Sequence, residues 1–430
     1  MKRKLALLLC SVMMLSMIGC GQKTAVEKNE EPSSAEAEKE ETQTDDEEPV
    51  TLTFMFNGPE NIEIYNALIA EYERTHSNIT IELTCLQNDY QTVLKTKINS
   101  GEIPDLFMSS SYNDNIVYQD YTYDLSKEEF IQKIEPSALQ GVTLDGAITG
   151  VPLVIQSHSF IYNKDLFEQA GITTLPTTLD EYREACDKLQ ESGIQPFSTG
   201  FAEWWVLPQT TYPSMSDVYG GDYAKLFADV KAGTVKFGDL EQTDYALDLL
   251  DLIKEYGGDK PMESTFDMQC SDLSTGKVAM IHQGIWAEQS ITSINPDLNI
   301  GYLQAPRMDG TPVLAVDSNN CYRIAKDSPH LQEVLDFLEW YVTDEFLNTP
   351  EQNTQFRSVK GAPAPDTQLA DATSELIAGG TTCPWWIFSG PDGTEQNFGT
   401  ALQNYVAGIT NREETKEALT AVFVDAYAAE

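Results

Sequence analysis

The sequence predicts an α/β protein of two lobes joined by crossing strands, and three observations carry that reading. The chain is 430 residues long, more than one ordinary core accommodates, so length favours two domains. Over residues 50–108 extended and helical patterns alternate with short connections, the signature of a parallel sheet with crossover helices. Finally, residues 151–155 are apolar, Gln156, Ser157 and His158 are polar, and Phe160, Ile161 and Tyr162 resume the apolar pattern, as a chain leaving one lobe for another would.

The first fifty residues stand apart. Lys2, Arg3 and Lys4 precede an apolar run over 5–18, shorter than the ~20 residues of a membrane-spanning helix and typical of an export signal. Met17-Ile18-Gly19-Cys20 resembles a bacterial lipobox, which implies that 1–19 is a lipoprotein signal peptide and that Cys20 is acylated. Several acyl chains, at ~0.8 kcal/mol per buried CH₂, would anchor the protein to the membrane. Residues 20–49 are rich in Glu, nearly free of apolar side chains and include Asp45-Asp46-Glu47-Glu48. They bury too little apolar surface to fold and are expected to form an acidic disordered tether.

The formal net charge of −41 repels nucleic acid and anionic lipid, and with no basic cluster in view it disfavours anionic ligands; neutral solutes fit best. Of seven cysteines, Cys10 lies in the signal and Cys20 at the lipidation site, leaving Cys85, Cys186, Cys270, Cys321 and Cys383 without CxxC spacing. No metal cluster or redox pair is expected, and any disulfide pairing stays open.

In chain order, residues 50–56 alternate as a strand. Ile64, Leu68, Ile69 and Tyr72 mark one face of a helix, and Ile79, Ile81, Leu83 and Cys85 a second strand. Tyr90, Val93, Leu94 and Ile98 mark a helix capped by Asp89 and closed by Gly101, before a third strand at 105–108. Ligands of such sheets gather beyond the carboxyl ends of the strands. That places Asn57 and Glu60, then Gln87, Asn88 and Asp89, then Ser109, Ser110 and Ser111 along one rim, all able to bond hydroxyl groups. Singly they are ordinary turn residues; together they point to a binding rim.

Farther on, Thr178 and Glu181 have capping-box spacing. Glu203-Trp204-Trp205 sets a carboxylate beside flat apolar plates of the kind that take the C–H face of a sugar ring, although one of two adjacent helical tryptophans usually faces inward. Residues 278–281 read as a buried strand, followed by Gln283, by Gly284, which permits close backbone approach, and by Trp286, the first choice for a stacking platform. Asp317, Ser318, Asn319 and Asn320 lie at a turn between extended pieces, 334–342 forms a helix, and Trp385 and Trp386 are further stacking candidates.

Taken together these segments resemble the substrate-binding proteins of carbohydrate ABC transporters, bacterial extracellular solute-binding proteins of family 1. The resemblance rests on Gly101-Glu102-Ile103-Pro104-Asp105, on Tyr162-Asn163-Lys164-Asp165-Leu166-Phe167 followed by Leu175-Pro176-Thr177-Thr178-Leu179, and on Gly276-Lys277-Val278-Ala279-Met280 followed by Gly284-Ile285-Trp286. It implies a periplasmic-binding-protein type II fold with an interlobe ligand cleft. Lobe 1 would comprise 50–156 and 299–345, and lobe 2 157–298 and 346–430. Hinges are implied at 156–159, 295–299 and 344–347, with 300–306 returning to lobe 1. The candidate ligand residues are then the rim set Asn57, Glu60, Gln87, Asp89, Ser109 and Ser110, with Gln156 and Ser157 at the hinge. Glu203, Trp204, Trp205, Gln283, Trp286, Asp317, Asn319, Trp385 and Trp386 complete the set. Ser109-Ser110-Ser111-Tyr112 departs from the family, which has a Trp at the end of that strand.

An enzyme is the competing reading. Glycoside hydrolysis needs two carboxylates ~5–10 Å apart, but among 68 acidic residues adjacent pairs such as Glu128-Glu129 carry no information. GxSxG, HExxH and Walker motifs are missing, and the four histidines lack ligand spacing. The expectation is an extracytoplasmic, lipid-anchored monomer that captures a neutral mono- or oligosaccharide and delivers it to the permease subunits of an ABC transporter. No catalytic residue, metal, cofactor or nucleic-acid partner is expected. Binding of a non-sugar solute, sensing for a signalling partner and, less favoured, a glycoside-active enzyme are the alternatives.

Overall fold

Two buried apolar clusters organise the chain, each built on its own sheet. The computed structural model describes residues 48–429, without 153, 312, 345–355 and 380–381 and without the side chains of 60, 137 and 429. The expected signal peptide, Cys20 and nearly all of the tether lie outside the described residues.

The first sheet follows from local pattern. β1 (Val50–Asn57) runs parallel to β2 (Ile79–Leu86) and β3 (Leu106–Ser110), with α1 (Ile62–Thr75) and α2 (Tyr90–Ser100) between them. Phe54, Phe56, Leu94 and Phe107 fill the core beneath it. Gly101 adopts φ 76° at the end of α2, the left-handed conformation that closes helices. Asp89 occupies the cap position of α2, but its side chain makes no capping bond. After α3 (Asn113–Tyr118) come a small hairpin, β4 (Thr143–Leu144) and β5 (Ala147–Ile148), and then β6 (Val151–Pro152).

The second sheet is centred on β7 (Val154–Asn163), with β8 (Gln195–Ser198), β9 (Val278–Gly284), β10 (Ile300–Leu303) and β11 (Leu314–Asp317). β12 (Asn320–Ile324) returns to the first sheet, antiparallel to β3 and β6, whereas β13 (Phe356–Arg357) and β14 (Thr382–Cys383) join the second. The capping box at Thr178 forms, with Glu181 closing it. The five described cysteines are free thiols, four of them buried.

Several expected boundaries move. The polar stretch 156–159 does not break the strand: it lies inside β7, because a β-ladder is made by the backbone and Ser157 and Ser159 find partners in Thr373 and the Leu303 carbonyl. Ile300–Leu303 pairs with β7, Tyr302 opposite Ile161, so it stays in the second sheet instead of returning to the first. Residues 295–299 merely connect the helix Ala287–Ile294 to β10 within that lobe. Val359, expected in the second lobe, packs in the first cluster, and Lys360 N donates to Lys133 O at 2.7 Å. The chain changes sheets between β6 and β7, through Ser318 and Asn319 between β11 and β12, and between the helix Leu331–Thr343 and β13. Of the hinge expected at 344–347, residues 345–347 fall outside the described residues.

Candidate functional site

A cleft of about 800 Å³ opens between the lobes, within the size range of small-molecule sites. The first lobe contributes the strand ends: Asn57 at the end of β1, Gln87 and Asn88 after β2, and Met108 and Ser110 on β3. Their gathering is the parallel-sheet rule at work, since β1, β2 and β3 point the same way. Asp89 is exposed and does not line the cleft, and the side chain of Glu60 lies outside the described residues. Tyr65 on α1 lines it instead, edge to face with Phe54 and Tyr322. It is an aromatic wall group on the lobe whose third strand ends in serines and Tyr112 without a Trp, and its helical spacing hid it among core positions.

Ser109 turns away to serve Arg323, which is fully buried. The Arg323 guanidinium donates to Thr149 Oγ1 at 2.6 Å, Ser110 O at 2.8 Å and Asn115 Oδ1 at 2.9 Å, so a structural network occupies the inner side of the rim.

The second lobe supplies an aromatic wall. Trp204 and Trp205 line it half-buried, both of them, where one was expected to face inward. Trp286 stacks on His158 with ring centroids 5.8 Å apart, and a Cβ on Gly284 would collide with its ring. Gln283 is buried. It accepts from Trp286 Nε1 at 3.1 Å and donates to Gln269 at 2.7 Å, so it positions the ring and does not reach the cleft. Trp385 lines the cleft at only 3% exposure, one face covered by Tyr212 at 5.4 Å and 18°. Its neighbour Trp386 points the other way, stacked on Phe237 at 5.2 Å and bonded to Thr211 Oγ1; the expectation of a platform there fails because the phenylalanine core claims it.

Other candidates act as braces. Asp317 accepts from the Tyr112 hydroxyl and from Trp385 N, both at 2.9 Å, and from Ser318 N, tying the first lobe, the crossing and the second lobe together. Ser157 is buried against Thr373, and Glu203 is buried without lining the cleft. Gln156 and Asn319 do line it, with Val154 and Arg357 beside them.

Sequence reasoning missed Gln209, Phe266, Gln289, Phe388 and Glu395, all on the second-lobe wall. Gln209 shares a helical turn, Val206–Gln209, with the end of the Trp pair, a signal that was available; Glu395 in the first turn of Thr394–Val406 looks like any acidic helix start.

Burial raises the Glu395 carboxyl to about 8, reinforced by Asp114 of the first lobe. Burial likewise raises Asp114 to about 6, opposed in part by Arg323. His282 is lowered to about 3 and His158 well below the ordinary imidazole value, both by burial, so both rings are neutral. The guanidinium of Arg357 lies 4.1 Å from the Tyr341 ring centroid. Among the described residues no cluster of metal-ligating side chains occurs, and no helix is long and apolar enough to cross a membrane.

A sequence model of bacterial extracellular solute-binding proteins matches residues 67–392. The multiple sugar-binding protein of Streptococcus mutans serotype c is 23% identical over 399 residues, spanning 88% of this chain and 90% of that protein. The melibiose/raffinose/stachyose-binding protein MelE of Bacillus subtilis strain 168 is 23% identical over 313 residues, 70% of each chain. Among solved structures, a chitin oligosaccharide binding protein superposes with a TM-score of 0.77 at 21% identity, covering 88% of this chain and 99% of that one. RafE in complex with raffinose superposes at 0.76 and 18% identity, covering 88% and 100%. With two sheets flanking one cleft and the family match spanning well over half of its length, the chain belongs to the bacterial extracellular solute-binding proteins.

Proposed function

We propose that this protein captures a neutral oligosaccharide outside the cytoplasm and delivers it to the permease of an ABC transporter, held at the membrane through lipidated Cys20. The observation that carries the reading is the pairing of walls: amide and hydroxyl side chains on the first lobe face tryptophans on the second. A sugar ring has an apolar C–H face for an indole and hydroxyl groups for amides, so each wall meets a different side of the same guest. Charge argues the same way, because the Arg357 guanidinium packs on Tyr341 and Glu395 is held protonated near neutral pH. The cleft has room for more than one ring, and relatives named for raffinose, stachyose and chitin oligosaccharides support that size class. Closure of the lobes about the β6–β7 and β11–β12 passages would enclose the guest.

A thermal-shift screen with melibiose, raffinose, stachyose and chitotriose tests the reading. A ligand at a hundred times its Kd stabilises by about 2.7 kcal/mol, a shift of several degrees. No shift with any sugar, together with one from a peptide, polyamine or metal ion, overturns it. Release of reducing ends from an oligosaccharide would instead revive the enzyme reading.

A further inference from the structure

Buried polar atoms ordinarily find partners, yet the cleft collects several that have none. Gln209 Oε1, Gln289 Oε1, Asn319 Oδ1, the Tyr322 hydroxyl and Trp385 Nε1 are buried without a hydrogen-bond partner, and all five residues line the cleft. Gln209, Asn319, Tyr322 and Trp385 are each more than nine-tenths buried. Behind Gln209, His158 Nε2 likewise lacks a partner at ordinary hydrogen-bond distance, and the Gln209 side chain lies close enough to oppose part of the fall in the imidazole's proton affinity.

The two deep tryptophans differ in the same respect. The indole N–H of Trp286 is already taken by Gln283, so its ring can only pack. Trp385 is the reverse: Tyr212 covers a face, and the N–H is unclaimed. What Trp385 offers the cleft is a donor, where the sequence suggested a plate.

We propose that these orphaned groups are the polar anchors of the ligand: the amide oxygens of Gln209, Gln289 and Asn319 accept hydroxyl hydrogens, and Trp385 Nε1 donates to a ring or hydroxyl oxygen. The proposal rests on the carbohydrate reading of the cleft and narrows it to sugars whose hydroxyl groups are free. Three amide acceptors against one indole donor and one hydroxyl demand a guest rich in O–H donors. An O-methylated or acylated sugar supplies acceptors only, and an anionic one would set oxygen against oxygen.

Gln209→Met and Gln289→Met test the assignment, since methionine keeps the length of the side chain and removes the acceptor. Calorimetric titration with raffinose, or with stachyose if raffinose gives no shift in the screen, is expected to show at least fivefold weaker binding. The Tm without sugar is expected to stay level or rise, because an unpaired buried acceptor is lost. A lower sugar-free Tm, or affinity within fivefold of the unsubstituted protein, overturns the assignment for that residue. Permethylated raffinose keeps the stacking faces and loses every donor; it is expected not to bind, and binding equal to raffinose overturns the proposal. Failure of the unsubstituted protein to bind any sugar would sink the reading of the cleft, while the sugar-free Tm of the variants would still decide whether Gln209 and Gln289 are unpaired.

Discussion

Arg323 in the first lobe and Gln209 in the second are both deeply buried and polar, but the fold treats them in opposite ways. Arg323 carries a full charge and is met on every side by neutral acceptors, Ser109, Ser110, Asn115 and Thr149. Gln209 is uncharged and its amide oxygen is left without a partner. A buried group left unpaired costs about 1–3 kcal/mol, so a protein tolerates it where something else completes it. Polar satisfaction therefore separates scaffold from binding wall more sharply than residue type does.

Breaking the scaffold side should have the largest effect. Arg323→Ala strips four partners at once and is expected to cost about 3–5 kcal/mol, read from urea denaturation; a loss under about 1 kcal/mol would erase the contrast between the lobes. On the binding side, Trp204→Ala should leave the denaturation midpoint nearly unchanged while weakening sugar binding about tenfold, or ~1.4 kcal/mol. Equal losses of stability and affinity would show that Trp204 belongs to the core.

Glu395 sharpens the comparison through pH. Its folded-state value of about 8 lies above the ordinary 4.5, so between these values the folded protein holds a proton that the unfolded chain has released. Stability is then expected to decline as pH rises from about 5 to 8 and to level off beyond. Glu395→Gln should flatten the upper part of that decline in a series of Tm measurements, and a variant that still tracks the unsubstituted protein would refute the assignment. Asp114, raised to about 6, adds to the lower part.

The smallest effect belongs to the ion pair between Lys95 of the first lobe and Asp392 of the second, 2.7 Å long with both side chains largely exposed. Lys95→Ala should change stability by less than about 1 kcal/mol, and the difference should vanish in high salt.

Much of this was legible in local pattern. The alternation over residues 50–56 and 79–85, the helix between them and the stop at Gly101 needed only the two backbone periods and the freedom of glycine. The rim of Asn57, Gln87 and Ser110 followed from strand direction. Trp385 and Trp386 mark where that reasoning ends: adjacent and chemically identical, one reaches the cleft and the other the phenylalanine core. Asp317 and Gln283 looked like ligand groups because their side chains suit hydroxyls, and only the placement of Tyr112, Trp385 and Trp286 turned them into braces.

The chain's own order of apolar and polar residues thus determined its strands, its helices and the chemical types available to a binding wall, since those depend on neighbours within a turn or two. The fold as a whole decided which sheet Ile300–Leu303 joins, where the chain passes between lobes and which buried polar atoms go unpaired, because each depends on partners far apart in the chain, such as Asp317 with Trp385, 68 residues away, and with Tyr112, 205 residues away.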